Sequence, residues 1–412
     1  MSDERRLVVL GGSTPFTVGL VDALAAEAPR LTLGELVLFG RNADALDLVS
    51  AYARATLGSA GWWIQGENDL RSALEGAQVV IHQIRSGGLE GRRNDERIAA
   101  DLGLPADETL GPAGLAAAIR MAAGHATVAQ ALTDICPDAL VLNLTNPLGC
   151  STELLHRGGV RHVAGVCEVP LATAEASCTV MGVRVELVDW TYAGLNHRGY
   201  VHRLRLGGRD LLAELPEHLG DRTIGGITAD EIAGTRAIPV KQLGLFRSRP
   251  LTQRSRAQEL LELRGRLLDE LRADIGRRPV SLVERPQPWY ADAVVPALVA
   301  TGSENAIRHV LNLPTPGGIV REVHADISAA GIVEVAVPEP PAHIAERIER
   351  FAAHERCVVA AAREPSPATI RAAIEADPLI EAIAPDADAT LMVERVWADT
   401  LGAGTPPGRK RG

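Results

Sequence analysis

The feature that most limits what this chain can fold into is a buried apolar strand, Arg6 to Leu10, that runs into Gly11-Gly12 and then into a helix over Thr17 to Ala28. Paired glycines let the backbone turn tightly from strand to helix and leave helix-start amides available to an anion. Such a unit needs parallel neighbours, so it commits the first half to an α/β layout. Short strands and amphipathic stretches do alternate from there on. Glu35 to Phe39 is the next strand, Asn42 to Leu57 has helical spacing, and strands follow at Gln78 to His82, Ala139 to Asn143 and His162 to Val166. The small apolar residues of Gly111 to Ala131 suit a helix packed close to a sheet.

From about Val183 the pattern changes. Val183 to Val188, Trp190 to Ala193 and Tyr200 to Leu206 are too close together for crossover helices and read as adjacent antiparallel strands. Two long helices are expected later. One is Ser255 to Ile275, with Leu260, Leu261, Leu267, Leu268 and Leu271 on one stripe, and the other covers Ala342 to Ala362. The expected fold is therefore a Rossmann-type, doubly wound parallel sheet in a first domain (residues 1–195). A second α+β domain with antiparallel strands and long helices (196–402) and a disordered Gly/Pro-rich tail (403–412) follow.

Bulk properties exclude several classes. The 412 residues are 46% hydrophobic and 23% charged, the balance of a folded protein with room for two cores. A net charge of -10 argues against a nucleic-acid partner. No apolar run reaches the ~20 residues of a bilayer span, and the charged start enters a strand with no signal-peptide core, so a cytoplasmic, non-membrane protein is expected. Five cysteines in no framework spacing are expected to be reduced, and any of them can be a ligand.

Three short segments carry chemistry. The first is the Leu10 to Thr17 turn, which departs from Gly-x-Gly-x-x-Gly because Ser13 stands where a second glycine would be. At the end of the second strand, Leu38-Phe39-Gly40-Arg41-Asn42 offers no acid for a ribose; Gly40 and Arg41 give room and positive charge for a 2′-phosphate, so NADP stands beside NAD, unless Arg41 is simply solvated. The other two segments hold Cys167, after a buried strand, and His197, at a strand end. Thiolate and imidazole suit a borderline divalent ion with open positions, a Lewis acid rather than a staple, although a buried Cys is also an ordinary small hydrophobe.

Seven segments in order resemble the NAD-dependent glycosidases of glycoside hydrolase family 4: Leu10 to Thr17, Arg85 to Arg92, Asp95-Glu96-Arg97, Glu108-Thr109 with Gly111-Pro112, Leu144 to Gly149, Gly165 to Pro170, and Gly194 to His197. Arg285 to Asp292 resembles a segment of that family's carboxy-terminal part. The resemblance implies a glycosidase outside the two-carboxylate mechanism. Its steps are hydride withdrawal from C3 of the sugar, removal of the C2 proton, elimination of the glycosidic oxygen, addition of water and return of the hydride. It implies bound NAD, a divalent metal, most simply Mn2+, on Cys167 and His197, and a homodimer or homotetramer. Cofactor contacts are expected from Gly11, Gly12, Ser13, Thr14, Phe16 and Thr17 of the turn, with Arg41 and Asn143. Substrate contacts are expected from Arg92, Asn146, Asn196 and Arg285.

The chain also departs from the family. Its C2 base is a tyrosine, but Ile238 to Phe246 places Gln242 there, and an amide is no useful base. Lys241, Tyr290 and His324 are the replacements to consider, and Glu168 is the candidate acid for the leaving oxygen. Without the tyrosine, a sugar oxidoreductase or epimerase on the same scaffold is the alternative function; a dead sugar-nucleotide regulator is a third. The aromatic and basic run that follows the family tyrosine is missing too, which favours a non-phosphorylated sugar. Arg92 is readable as a phosphate contact or as the ion-pair partner of Asp95.

Overall fold

A computed structural model describes residues 5–247 and 254–402. The tail expected over 403–412 lies outside the described residues. Six parallel strands form one half of the sheet: β1 (Arg5–Leu10), β2 (Leu33–Phe39), β3 (Trp63–Glu67), β4 (Val79–His82), β5 (Leu140–Asn143) and β6 (Val163–Val166). Their order, β3-β2-β1-β4-β5-β6, is that of a dinucleotide-binding doubly wound sheet. Val8, Val9, Val80, Ile81 and Leu142 are buried on it, as strands covered on both faces require.

The sheet does not stop there. β7 (Asp189–Leu195) and β8 (Arg198–Leu206) form a hairpin; β9 (Arg209–Asp210) and β10 (Ile238–Pro239) pair with β8. β11 (Ile307–Pro314) pairs antiparallel with both β6 and β12 (Val320–Ser328), which also pairs with β7 and with β13 (Gly331–Glu334). One 13-stranded sheet thus changes from parallel to antiparallel at the β6–β11 contact. Residues 195 and 196 fall at the β7–β8 turn, inside this sheet.

Two local expectations are corrected. Val183 to Val188 is no strand: Val185–Leu187 forms a single 3-10 turn, because the chain must leave the helix Val169–Val180 before it enters β7. The helix Arg256–Ala273 buries Ala257, Leu260, Leu263, Leu267 and Leu271, a spacing of three or four, while Leu261 and Leu268 sit half-buried at the flank. That buried stripe joins the core that β1 and β2 also share and packs against the helices Ala43–Leu57 and Gly88–Asp101, so a late helix completes the first half. The second long helix runs Ala342–Arg363.

Candidate active site

A cleft of about 540 Å³ opens at the carboxyl ends of the parallel strands, where doubly wound sheets hold their ligands. Gly11, Ser13, Thr14, Phe16, Gly40 and Arg41 line one end of it; Arg92, Glu108, Asn146, Cys167, Glu168 and His197 line the other. Lys241, Gln242, Arg285 and Tyr290 join from the later part of the chain.

At the first end, Gly11 has φ of 95°, and a Cβ there would lie 2.9 Å from the Gln83 carbonyl oxygen. Only glycine fits that turn without strain. The amides of Gly11 and Gly12 both donate to the Phe39 carbonyl, at 3.1 and 2.8 Å, which leaves the following Ser13 and Thr14 to face the cleft. Gly12 and Thr17 do not line it. The Thr17 hydroxyl accepts instead from the Gln83 amide at 3.1 Å. Asn143 is wholly buried; it bonds His82, Ser151 and Thr152 and acts as scaffold between β4, β5 and the helix Leu148–Arg157.

The second end is built on Glu108. Its carboxylate accepts from Arg85 (2.5 Å), Arg92 (2.8 Å) and the Asn146 amide (3.0 Å). Burial alone would raise this carboxyl, but Arg85, Arg92 and His197 hold it far below the usual range. Arg92 also bonds Glu96, whereas Asp95 pairs with Arg120, so the Arg92–Asp95 pair is not formed. Arg285 makes no salt bridge among the described residues. It lies over the Phe16 ring at 4.3 Å and the Trp289 ring at 5.2 Å, and burial draws its guanidinium down to about 10.

Cys167 follows β6, and His197 occupies the β7–β8 turn with φ of 61°, a left-handed conformation that is costly for a non-glycine residue. Its buried Nδ1 has no hydrogen-bond partner among the described residues, nor has Asn196 Oδ1 next to it. Burial pushes the Cys167 thiol up, and the Glu168 and Glu322 carboxylates push it further. A divalent cation fits this pair, since it supplies the charge the thiolate lacks and occupies the orphaned imidazole edge. Among the described residues no three metal-ligating side chains share one position, so such a cation would keep open sites for substrate oxygens. Asn196 lies behind the cleft, where its amide donates to Glu322 at 3.3 Å.

Where the family base would stand, Gln242 is buried, lines the cleft, and has an Oε1 with no hydrogen-bond partner among the described residues. Lys241 is exposed at the rim. The buried Tyr290 hydroxyl donates to Gln83 Oε1 at 2.7 Å; burial raises its pKa, and Arg285 opposes that rise. His324 is turned away, since its Nε2 accepts from the Tyr192 amide.

Sequence reasoning assigned no role to Gln83, Glu108 or Glu322. Gln83 bridges the glycine turn and Tyr290, and Glu108 collects two arginines. Glu322 takes Tyr192, Asn196 and Asn312 behind the Cys167–His197 pair. A signal existed for Glu322: it shares the inward phase of β12 with Val320 and His324, where a carboxylate needs a reason.

Comparisons with known proteins identify the family. Residues 6–183 match the family model for family 4 glycosyl hydrolases, and residues 192–380 match the model for that family's C-terminal domain. A probable 6-phospho-beta-glucosidase of Bacillus subtilis is 25% identical over 413 residues, covering 92% of this chain and 93% of that protein. The fold is shared with a 6-phospho-beta glucosidase from Thermotoga maritima solved with manganese, NAD+ and glucose-6-phosphate (TM-score 0.85, 21% identity, 97% and 98% of the two chains). A 6-phospho-alpha-glucosidase from gut microorganisms, in complex with NAD and Mn2+, superposes with a TM-score of 0.82 at 21% identity over 99% and 100% of the two chains. The chain belongs to the family 4 glycosyl hydrolases.

Proposed function

We propose that the protein cleaves a glycosidic bond by transient oxidation of the sugar, using a nicotinamide dinucleotide and a divalent cation, most simply Mn2+. The observation that carries this is one cleft lined by both the glycine turn and the Cys167–His197 pair. When bound, the dinucleotide accepts and returns a hydride, and the cation polarises neighbouring sugar hydroxyls.

The chain's own residues do the rest. Asn146 orients sugar hydroxyls while held by Glu108, and Glu168 delivers a proton to the departing glycosidic oxygen. Tyr290 is the better-built replacement for the missing base. Its phenol lines the cleft with the Arg285 guanidinium to favour the phenolate against the rise that burial causes, whereas Lys241 sits at the open rim. Gln242, an amide, supplies none of the lost tyrosine's proton chemistry.

Cleft charge argues against the expectation of a non-phosphorylated sugar. Arg264, Arg285 and Lys241 line it with no salt bridge among the described residues, and this favours a glycoside bearing an anionic group. 6-Phosphoglycosides are the first substrates to test, given the names of the relatives.

Turnover of such a glycoside in deuterium oxide should place deuterium at C2 of the released sugar. Cleavage with no deuterium at C2 rejects the mechanism. Because Gln242 replaces the tyrosine, an oxidoreductase or epimerase is the second reading; net accumulation of reduced nucleotide, or an epimer without cleavage, would establish it.

A further inference from the structure

We propose that the nucleotide site is built for a 2′-phosphorylated dinucleotide, NADP+ in preference to NAD+, with Arg41 receiving the extra phosphate and a Ser13–Gly40 contact keeping a carboxylate out. This rests on the dinucleotide-dependent reading above and names which dinucleotide it takes. Two independent observations carry it.

One is charge. In dinucleotide-binding sheets an acid at the end of the second strand accepts the adenosine ribose hydroxyls and repels a 2′-phosphate; an arginine there does the reverse. β2 ends at Phe39, and the next residues are Gly40 and Arg41, both lining the cleft. Arg41 is exposed and makes no salt bridge among the described residues. The neighbouring acids do not take over. Asp44 is exposed on the first turn of the helix Ala43–Leu57 and does not line the cleft. Glu67, at the end of β3, turns one carboxylate oxygen to the amides of Asn68 (2.8 Å) and Asp69 (3.0 Å) and the other to the Gln65 amide (3.3 Å).

The other is space. A Cβ built on Gly40 would lie 2.2 Å from Ser13 Cβ, 2.3 Å from its hydroxyl and 3.0 Å from its backbone nitrogen. Rotating the serine would not relieve a clash with Cβ and backbone. The two positions are also tied together, because the Gly11 and Gly12 amides donate to the Phe39 carbonyl and the Gly40 amide to the Glu67 carbonyl. An aspartate or glutamate at position 40 is therefore incompatible with Ser13, the same residue that breaks the glycine spacing of the turn. One substitution thus accounts for both departures from the usual pattern.

The test is equilibrium binding to the full-length protein, by calorimetry, with NAD+, NADP+, 2′,5′-ADP and 5′-AMP as separate probes. NADP+ should bind about tenfold to a hundredfold more tightly than NAD+, the span expected of one additional charge-assisted hydrogen bond, and 2′,5′-ADP should compete where 5′-AMP does not. Arg41→Ala should erase the preference while NAD+ affinity stays within about twofold. The double change Ser13→Gly with Gly40→Asp should invert it. NAD+ binding as tightly as NADP+ overturns the proposal while leaving the dinucleotide reading intact; failure to bind either overturns both. A preference that survives Arg41→Ala overturns the role given to Arg41.

Discussion

Apart from Phe16, Phe39 and Arg41, the cleft at the glycine-turn end is made of backbone and small side chains from the ends of β1 and β2, elements adjacent in sequence. At the Cys167–His197 end it is made of charged and hydrogen-bonding side chains from segments spread between Arg85 and Tyr290. The first end depends on conformation, the second on assembly. A change that removes a side chain should therefore cripple the second and, the phosphate contact of Arg41 aside, barely touch the first, while a change that adds a Cβ should do the opposite.

The largest expected effect tests that independence directly. Cys167→Ser and His197→Ala should each lower turnover by more than about 10³-fold and weaken Mn2+ binding by more than about a hundredfold, since loss of a ligand should exceed the effect of losing a residue that only supports one. Dinucleotide affinity should stay within about twofold. A parallel loss of nucleotide affinity would show that the two ends act as one unit.

Next comes the proton transfer. Tyr290→Phe should cut the rate by about 10²- to 10³-fold and slow deuterium entry at C2 to match, with KM little changed. Lys241→Ala should cost less than about tenfold. The reverse ranking would move the base to the rim, to a residue that only its neighbour Gln242 recommends.

Gly11→Ala should have a smaller effect on rate, and one of a different kind. With φ of 95° and the Gln83 carbonyl 2.9 Å from the new atom, it should weaken nucleotide binding by about tenfold and lower Tm, with Mn2+ affinity unchanged.

The same contrast explains what the sequence disclosed. Five strands of the parallel half were legible because their signals are local: strand, glycine turn and helix follow within a few residues, and strands alternate with helices in order; β3, the short edge strand Trp63–Glu67, was missed. The joining of the two halves was not legible, because β11 reaches back to pair with β6 and the helix Arg256–Ala273 packs on the helices Ala43–Leu57 and Gly88–Asp101 of the first half. Among site residues, those of the turn lie in the cleft except Gly12 and Thr17, whose places are taken by packing against β2 and Gln83. Glu108 escaped a role because its importance lies in the arginines it gathers, and no spacing in the sequence announces those pairings. Asn143 misled for the converse reason. A polar residue at a strand end looks like a ligand contact, yet here it satisfies buried groups on two neighbouring elements.

The smallest effect concerns stability, and it is shared by both halves. His82 and His125 beside β4 and β5, and His202 and His324 in the antiparallel half, are pulled below 6.5 chiefly by burial: His125 to about 3, the other three to about 4. A histidine whose folded pKa is depressed is protonated more readily in the unfolded chain. Its neutral form therefore contributes fully above about pH 6.5, and the contribution is lost as pH falls towards the folded value. Tm should be flat above about pH 7 and decline steadily from 6.5 to 4. The Glu108 carboxylate adds a second decline below about pH 4.5, because its folded pKa is depressed too and its stabilisation goes as it takes up a proton. His82→Gln should flatten the first decline by roughly 3 kcal/mol at most. It should leave the second in place, since Glu108 answers to Arg85, Arg92 and His197 rather than to the imidazole under Asn143. A Tm that holds steady from pH 7 to 5 would mean that these imidazoles are protonated in the folded protein, and that the polar cluster beneath the glycine-turn end is held together by charge instead of by neutral hydrogen bonds.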